Sequence, residues 1–233
     1  MKFTKETLAI LKNFSTINSG IMLKPGNFIM TRAVNGTTYA EATISDTIDT
    51  DVAIYDLNSF LSILSLVGDD ADIIMQEDGN LAIKDARSTI FWPAADPSTI
   101  VFPTKPIPFP VANVIIDFKG EDLQQLMRVS RGMQIDTIAI TNVDGKIVLR
   151  GYNKVEDAAL TRPKYSLTLG DYDGEGNFNF IINMSNMKMT VGDYKLMLWA
   201  KMNGAKKQTA AKFEGASASY VVAMEADSTF DFE

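Results

Sequence analysis

Apolar and polar positions in this chain follow two different periods. Over residues 4–14 the period is helical. At about 100° per residue, Lys5, Ala9 and Lys12 share one side, and Ile10, Leu11 and Phe14 lie opposite. Residues 56–67 repeat the pattern behind Asp56, a good N-cap. That helix turns Phe60, Ile63, Leu64 and Val67 inward and leaves Asn58, Ser62 and Ser65 as a narrow uncharged stripe. A third helix is predicted over residues 121–133. Leu123, Leu126, Met127, Val129 and Met133 form one face, and Gln124, Gln125, Arg128 and Arg131 the other. Glu121 and Asp122 at its start and the arginines at its end suit the helix dipole. A fourth, over residues 183–191, is placed by analogy with the second. Between the helices run short strand-like segments, with turns marked by Pro25-Gly26, Asn35-Gly36 and Asp78-Gly79. The predicted class is α+β with large antiparallel sheets.

The order of elements occurs twice. Arg32-Ala33-Val34-Asn35 and Arg150-Gly151-Tyr152-Asn153 each follow an amphipathic helix by nearly the same distance. Each half then continues through strands, a second helix and more strands, as in a duplicated domain. Between the halves, residues 93–110 hold six of the eight prolines, which excludes helix and central strand. This segment is apolar, with Ile100, Val101, Phe102, Ile107 and Phe109, unlike a solvated linker. It either packs along the body or offers a docking surface. The expected layout is a first domain at 1–92, a connector at 93–111 and a second domain at 112–233.

Composition narrows the chemistry. The chain has no histidine and no cysteine, so the commonest general base, the strongest nucleophile and a structural zinc site are missing. No phosphate-binding glycine loop is present. Asp171-Tyr172-Asp173-Gly174-Glu175-Gly176 resembles a calcium loop, but its twelfth position is Ile182 where a bidentate Glu is required, so a hairpin turn is expected instead. Asp69 and Asp70 read as a solvated turn at a helix end. Catalysis, cofactors and metals are therefore not expected. No apolar run is long enough for a membrane helix, and the first residues lack a signal-peptide core. The net charge of −7 argues against a protein that coats nucleic acid, yet Met1 to Phe14 carries Lys2, Lys5 and Lys12 against Glu6 alone.

Longer stretches carry a resemblance. Lys12-Asn13-Phe14 and Thr16-Ile17-Asn18-Ser19-Gly20-Ile21-Met22-Leu23-Lys24 are similar to the DNA polymerase sliding clamps of T-even-type bacteriophages. So are residues 28–42, Ala86-Arg87-Ser88-Thr89-Ile90-Phe91-Trp92-Pro93, Lys105-Pro106-Ile107-Pro108-Phe109-Pro110-Val111 and residues 165–175. The similarity runs nearly end to end. It is weakest at residues 202–209, which read as an insertion in a hairpin tip, and at 230–233.

The resemblance implies a closed homotrimeric ring of two-domain subunits, with helices lining the hole and sheets outside. It implies loading on duplex DNA by an ATP-dependent clamp loader, tethering of the replicative DNA polymerase, and contacts with late-transcription factors, in the cytoplasm of the infected bacterial host. Lys5, Lys12, Arg128, Arg131 and Lys188 would face DNA and offer a weak, uniform field to phosphates. Ile90, Phe91 and Trp92 would meet Arg162 and Lys164 of the next subunit. Val101, Phe102, Ile107 and Phe109 would receive partner tails, with Tyr220 and Val222 as a second wall. Two other readings fit the bare composition: a viral assembly component docking through its apolar connector, and an enzyme of unfamiliar type using acidic clusters.

Overall fold

The computed structural model describes residues 1–68 and 71–232. The acidic pair Asp69 and Asp70 lies outside them. The chain divides into two compact units, residues 1–107 with 217–219, and residues 108–216 with 220–233. Most of the proline-rich segment thus belongs to the first unit.

In the first unit, α1 (Lys5–Phe14) is capped by Thr4, whose hydroxyl accepts from the Thr7 N–H, and buries Ile10, Leu11 and Phe14. Strands β1 (Ile21–Leu23), β2 (Gly26–Arg32), β3 (Thr38–Ile48) and β4 (Val52–Ile54) follow. β1 pairs with β4 and β2 with β3, all antiparallel. The β2–β3 turn uses Gly36 at φ 74°, a conformation glycine adopts without steric cost. Helix α2 (Leu57–Val67) buries Leu57, Phe60 and Leu64. Ile63 and Val67, expected inside, are only half-buried. Strands β5 (Asp72–Met75), β6 (Asn80–Lys84) and β7 (Thr89–Pro93) form an antiparallel meander.

The Asp56 cap makes a prediction. Its carboxylate accepts from the Ser59 hydroxyl at 2.7 Å and the Ser59 N–H at 3.0 Å, which holds its pKa below the usual 3.8. A depressed folded-state pKa gives stability that is complete above the unfolded value and lost as pH falls through the folded one. Asp56→Asn keeps a capping oxygen but no proton linkage. Urea midpoints measured from about pH 5 down to about pH 2 should therefore fall less steeply for the variant than for the parent. Parallel curves would contradict this role.

The second unit repeats the plan. β8 (Val114–Phe118) leads into α3 (Gly120–Met133), which buries Leu123 and Leu126. Gly120 is fixed by space: a Cβ there would lie 2.9 Å from the Gly192 backbone. Then come β9 (Thr137–Val143), β10 (Lys146–Tyr152), β11 (Tyr165–Asp171), β12 (Phe178–Asn183), β13 (Tyr194–Asn203), β14 (Lys206–Gly215), β15 (Ser219–Ala223) and β16 (Thr229–Phe230). One sheet runs β11-β10-β9-β12-β16, and within this unit another runs β15-β14-β13-β8. In both units the chain before the first helix pairs with the strand after the second helical segment. β8 pairs with β13, and Met1 exchanges backbone hydrogen bonds with Ile73 of β5.

Two expectations change. The fourth helix is a single 3-10 turn, Met184–Asn186, because a Met-Ser-Asn sequence with an Asn183 cap favours a short turn over a propagated helix. The residue 171–176 segment is not a hairpin. β11 and β12 are not neighbours, and the segment crosses between them, closed by the Tyr172 hydroxyl donating to the Gly176 carbonyl at 2.7 Å. Residues 202–209 form the tip of the β13–β14 hairpin, as expected, with the turn confined to Gly204 and its neighbour. The last strand, β16, has no counterpart in the sequence reading. It places Phe230 over Phe180 and pairs with Phe178 of β12.

Candidate nucleic-acid interface and partner surfaces

Helices α1 and α2 lie side by side, joined by the Ser15 hydroxyl donating to Asn58 Oδ1 at 2.7 Å. The groove between them encloses about 450 Å³ and is lined by Lys5, Lys12, Asn58, Ser62 and Ser65 among others. Cations from one helix and the uncharged stripe of the other therefore share one surface. The Ser62 and Ser65 hydroxyls turn back to carbonyls of their own helix at 2.9 and 2.7 Å. This leaves an uncharged stripe beside the Lys5 and Lys12 side chains. In the second unit, α3 exposes Gln124, Gln125, Arg128 and Arg131 opposite its buried leucines. Lys188 departs from expectation: it follows the 3-10 turn, is half-buried, and so sits on no helix face. Long cations on such faces suit phosphate contact, whereas base readout needs side chains fixed toward base edges.

Strands β7 and β11 each lie at a sheet edge. β7 pairs with β6 alone in its sheet, and β11 with β10 alone. On β7, Phe91 is 64 % exposed, while Ile90 and Trp92 are half-buried. Trp92 meets Phe60 edge-on at 5.7 Å, so it supports its own unit. Arg162 and Lys164 precede β11 instead of lying in it. Arg162 is exposed, and Lys164 pairs with Glu156 at 2.7 Å. Among the described residues the buried Tyr165 hydroxyl opening β11 has no hydrogen-bond partner, and burial pushes its pKa up.

The connector is fastened at two points in the first unit. Asn18 Nδ2 donates to the Arg32 and Val101 carbonyls at 3.0 and 2.8 Å. The Ile107 backbone lies against the Tyr39 hydroxyl, which donates to Glu41 at 2.6 Å. Burial, with Glu41 adding to it, pushes the Tyr39 pKa well above its ordinary range. Between these ties Val101 and Ile107 remain 38 % and 44 % exposed, and Phe102 is half-buried against Ile100 and its neighbours. Val34, at the adjoining β2–β3 turn, is 71 % exposed. In the second unit, Phe109 is half-buried.

The expected second wall needs correction. Tyr220 and Val222 are 1 % and 0 % exposed, because alternate residues of β15 face the core. The chain just beyond them does reach the surface. Met224 and Ala226, with Trp199, Lys207, Gln208 and Thr209, line a depression of about 540 Å³. The Lys207 ammonium bonds the Ala226 and Ser228 carbonyls. Alternation along β13 puts Trp199 on the outer face, a signal present in the sequence and passed over there. Among the described residues no cluster of three acidic side chains could hold a metal ion, and no helix is long and apolar enough to cross a membrane.

Comparison with known proteins fits this arrangement. Residues 4–102 match the model of the DNA polymerase processivity factor family, and residues 115–226 that of the gp45 sliding clamp, C terminal. The sliding clamp of Enterobacteria phage T4 is 75 % identical over 232 residues, covering all of both chains. The chain belongs to the sliding-clamp family. The Escherichia phage RB69 sliding clamp is 72 % identical over the same length. Among solved structures, A. fulgidus PCNA bound to the C-terminal region of FEN-1 matches with a TM-score of 0.65 at 13 % identity, over 97 % of this chain and 98 % of that one. At that identity the likeness is one of fold: two similar α+β domains. This clamp is thus a processivity factor for a DNA polymerase in phage replication.

Proposed function

We propose that three copies close head-to-tail into a ring around duplex DNA and that the ring tethers the replicative polymerase. The observation that carries this reading is the groove of α1 and α2, where Lys5 and Lys12 stand beside the uncharged Asn58, Ser62 and Ser65. A tether must hold DNA without stalling on any sequence, and cations over a polar wall do that. The open edges of β7 and β11 support head-to-tail closure, since a heterologous contact forms a ring when its rotation closes. Ile90, Phe91, Arg162 and Lys164 would sit at that seam. An ATP-dependent loader would open the ring, and late-transcription factors would share its surface, in the cytoplasm of the infected host. Lysine acetylation footprinting tests the DNA-facing surface. On loaded DNA, Lys12 should be protected and the exposed Lys105 should react as in free protein. Equal labelling of Lys12 with and without DNA would contradict it.

Partner tails would dock on the exposed connector side chains of the first unit and, separately, in the Trp199 depression of the second. The FEN-1 segment on the A. fulgidus relative is consistent with short tails as ligands of such folds. Ile107 is exposed, and its fastening uses its backbone, so its side chain is free to serve a partner. Ile107→Ala should lower polymerase tail-peptide affinity by about tenfold while melting shifts by no more than roughly 2 °C. Unchanged affinity with a sharply lower melting temperature would make the connector purely structural. Calorimetry on one preparation gives both.

A further inference from the structure

The duplication produces two depressions at the same topological corner. In the second unit, Trp199 of β13, the first residues of β14 and the chain leaving β15 surround the depression described above. In the first unit, β5, β6 and β7 form the same meander. Its first turn is at Gly79, and residues 94–97 leave β7 across that turn, with the Ala94 N–H donating to the Gly79 carbonyl at 3.3 Å. A depression of about 440 Å³ lies there, with Met22, Ala53 and Met75 as apolar lining and Asp51 and Asp96 at its rim. Methionine adapts its shape to varied apolar side chains.

The two corners carry opposite charge. The second-unit hairpin of β13 and β14 contains five lysines, Lys195, Lys201, Lys206, Lys207 and Lys212, against one acid, Glu214, which pairs with Lys212 at 3.2 Å, and the chain leaving β15 adds Glu225 and Asp227. At the first-unit corner Asp51 and Asp96 are joined by Glu77 and Asp78 in the adjoining turn. One cation is near: Lys24 lies 3.6 Å from Asp51, with both side chains about half exposed. Such a pair is worth little, so an incoming cation replaces it at small cost. Asp96 accepts from the Ser98 N–H at 2.8 Å, which holds its pKa down and keeps it charged at neutral pH.

We infer that the first-unit depression is a third docking site, beside the exposed connector side chains and the Trp199 depression, taking a short segment in which an apolar side chain sits beside lysine or arginine. The second-unit depression would take the complementary kind, an apolar side chain beside acid. The inference leans on the partner reading of the second-unit depression for its analogy, but its own basis is the Met-lined corner and its acidic rim. Two sites of opposite charge preference would let one clamp hold two partners without competition.

The test uses the full chain and three fluorescent peptides. One has a central Leu-Phe pair among lysines, one the same pair among glutamates, and one lysines without the pair. Asp51→Lys with Asp96→Asn reverses one rim charge, removes the other and keeps a capping oxygen at position 96. Fluorescence anisotropy should show the basic Leu-Phe peptide binding the parent saturably and losing about tenfold in affinity on this double variant. Trp199→Ala should leave that binding unchanged. The lysine peptide without the pair should bind about tenfold more weakly. Four results overturn the proposal: no saturable binding of the basic Leu-Phe peptide, equal binding to the double variant, loss of binding on Trp199→Ala, or equal affinity without the apolar pair. Failure of the glutamate peptide bears on the second-unit depression alone, so the two readings fail separately.

Discussion

Phe91→Glu will run as a monomer at concentrations where the parent is assembled. Phe91 lies on the open edge of β7 and is 64 % exposed in the single chain, so it contributes little to its own unit. Covering that much of an aromatic side chain stabilises a contact by about 2 kcal/mol. A carboxylate in its place must in addition be desolvated at the seam, a cost that Arg162 or Lys164 of the next subunit offsets only in part. The sum weakens each seam by a factor on the order of 100 or more. Trp92→Glu is a poorer probe, because Trp92 packs on Phe60 and its loss would damage the first unit directly. Sedimentation velocity over a dilution series, with circular dichroism as a check on folding, decides. A Phe91→Glu protein that keeps the parent mass on dilution places the seam elsewhere.

The second large effect is on DNA retention. Lys12→Glu with Arg128→Glu reverses one exposed cation in each unit, on helix faces opposite the buried stripes. Each cation lost from phosphate contact lowers the slope of log affinity against log salt by about 0.9. Reversal adds repulsion on top of that loss. Retention on nicked circular DNA should fall by about tenfold or more near physiological salt and depend less steeply on salt. The assembly mass should not change, since neither residue lies on an edge strand. Equal retention by parent and variant across the salt series would remove these residues from the DNA surface.

The helices were readable wherever local rules agreed. α1 and α2 carry a buried stripe and a polar face in register, and the structure returns Asp56 as the expected cap and adds Thr4 as the cap of α1. α3 has its acids first and its arginines last, and its boundaries follow. The fourth helix failed because analogy stood in for propensity at Met184, Ser185 and Asn186. Strand positions were legible from alternation, but their partners were not. Pairing β9 between β10 and β12 is a choice made by tertiary packing, which no local pattern encodes. The same limit explains the sites. Cations opposite apolar stripes can be read from a helical wheel, so Lys5, Lys12, Arg128 and Arg131 come out on exposed faces. Lys188 did not, because its placement depended on the helix that is absent. Tyr220 and Val222 were chosen for their apolar character, and that character puts them in the core. The Trp199 and Met22 depressions each gather residues from separate strands, a juxtaposition visible only after folding.

The central claim is a closed ring of three copies, and the mass of the protein in solution tests it most directly. Light scattering coupled to size exclusion at micromolar concentration should give about 77 kDa, three times the 25.6 kDa chain. A stable mass of one or two chains across the concentration range would contradict the ring.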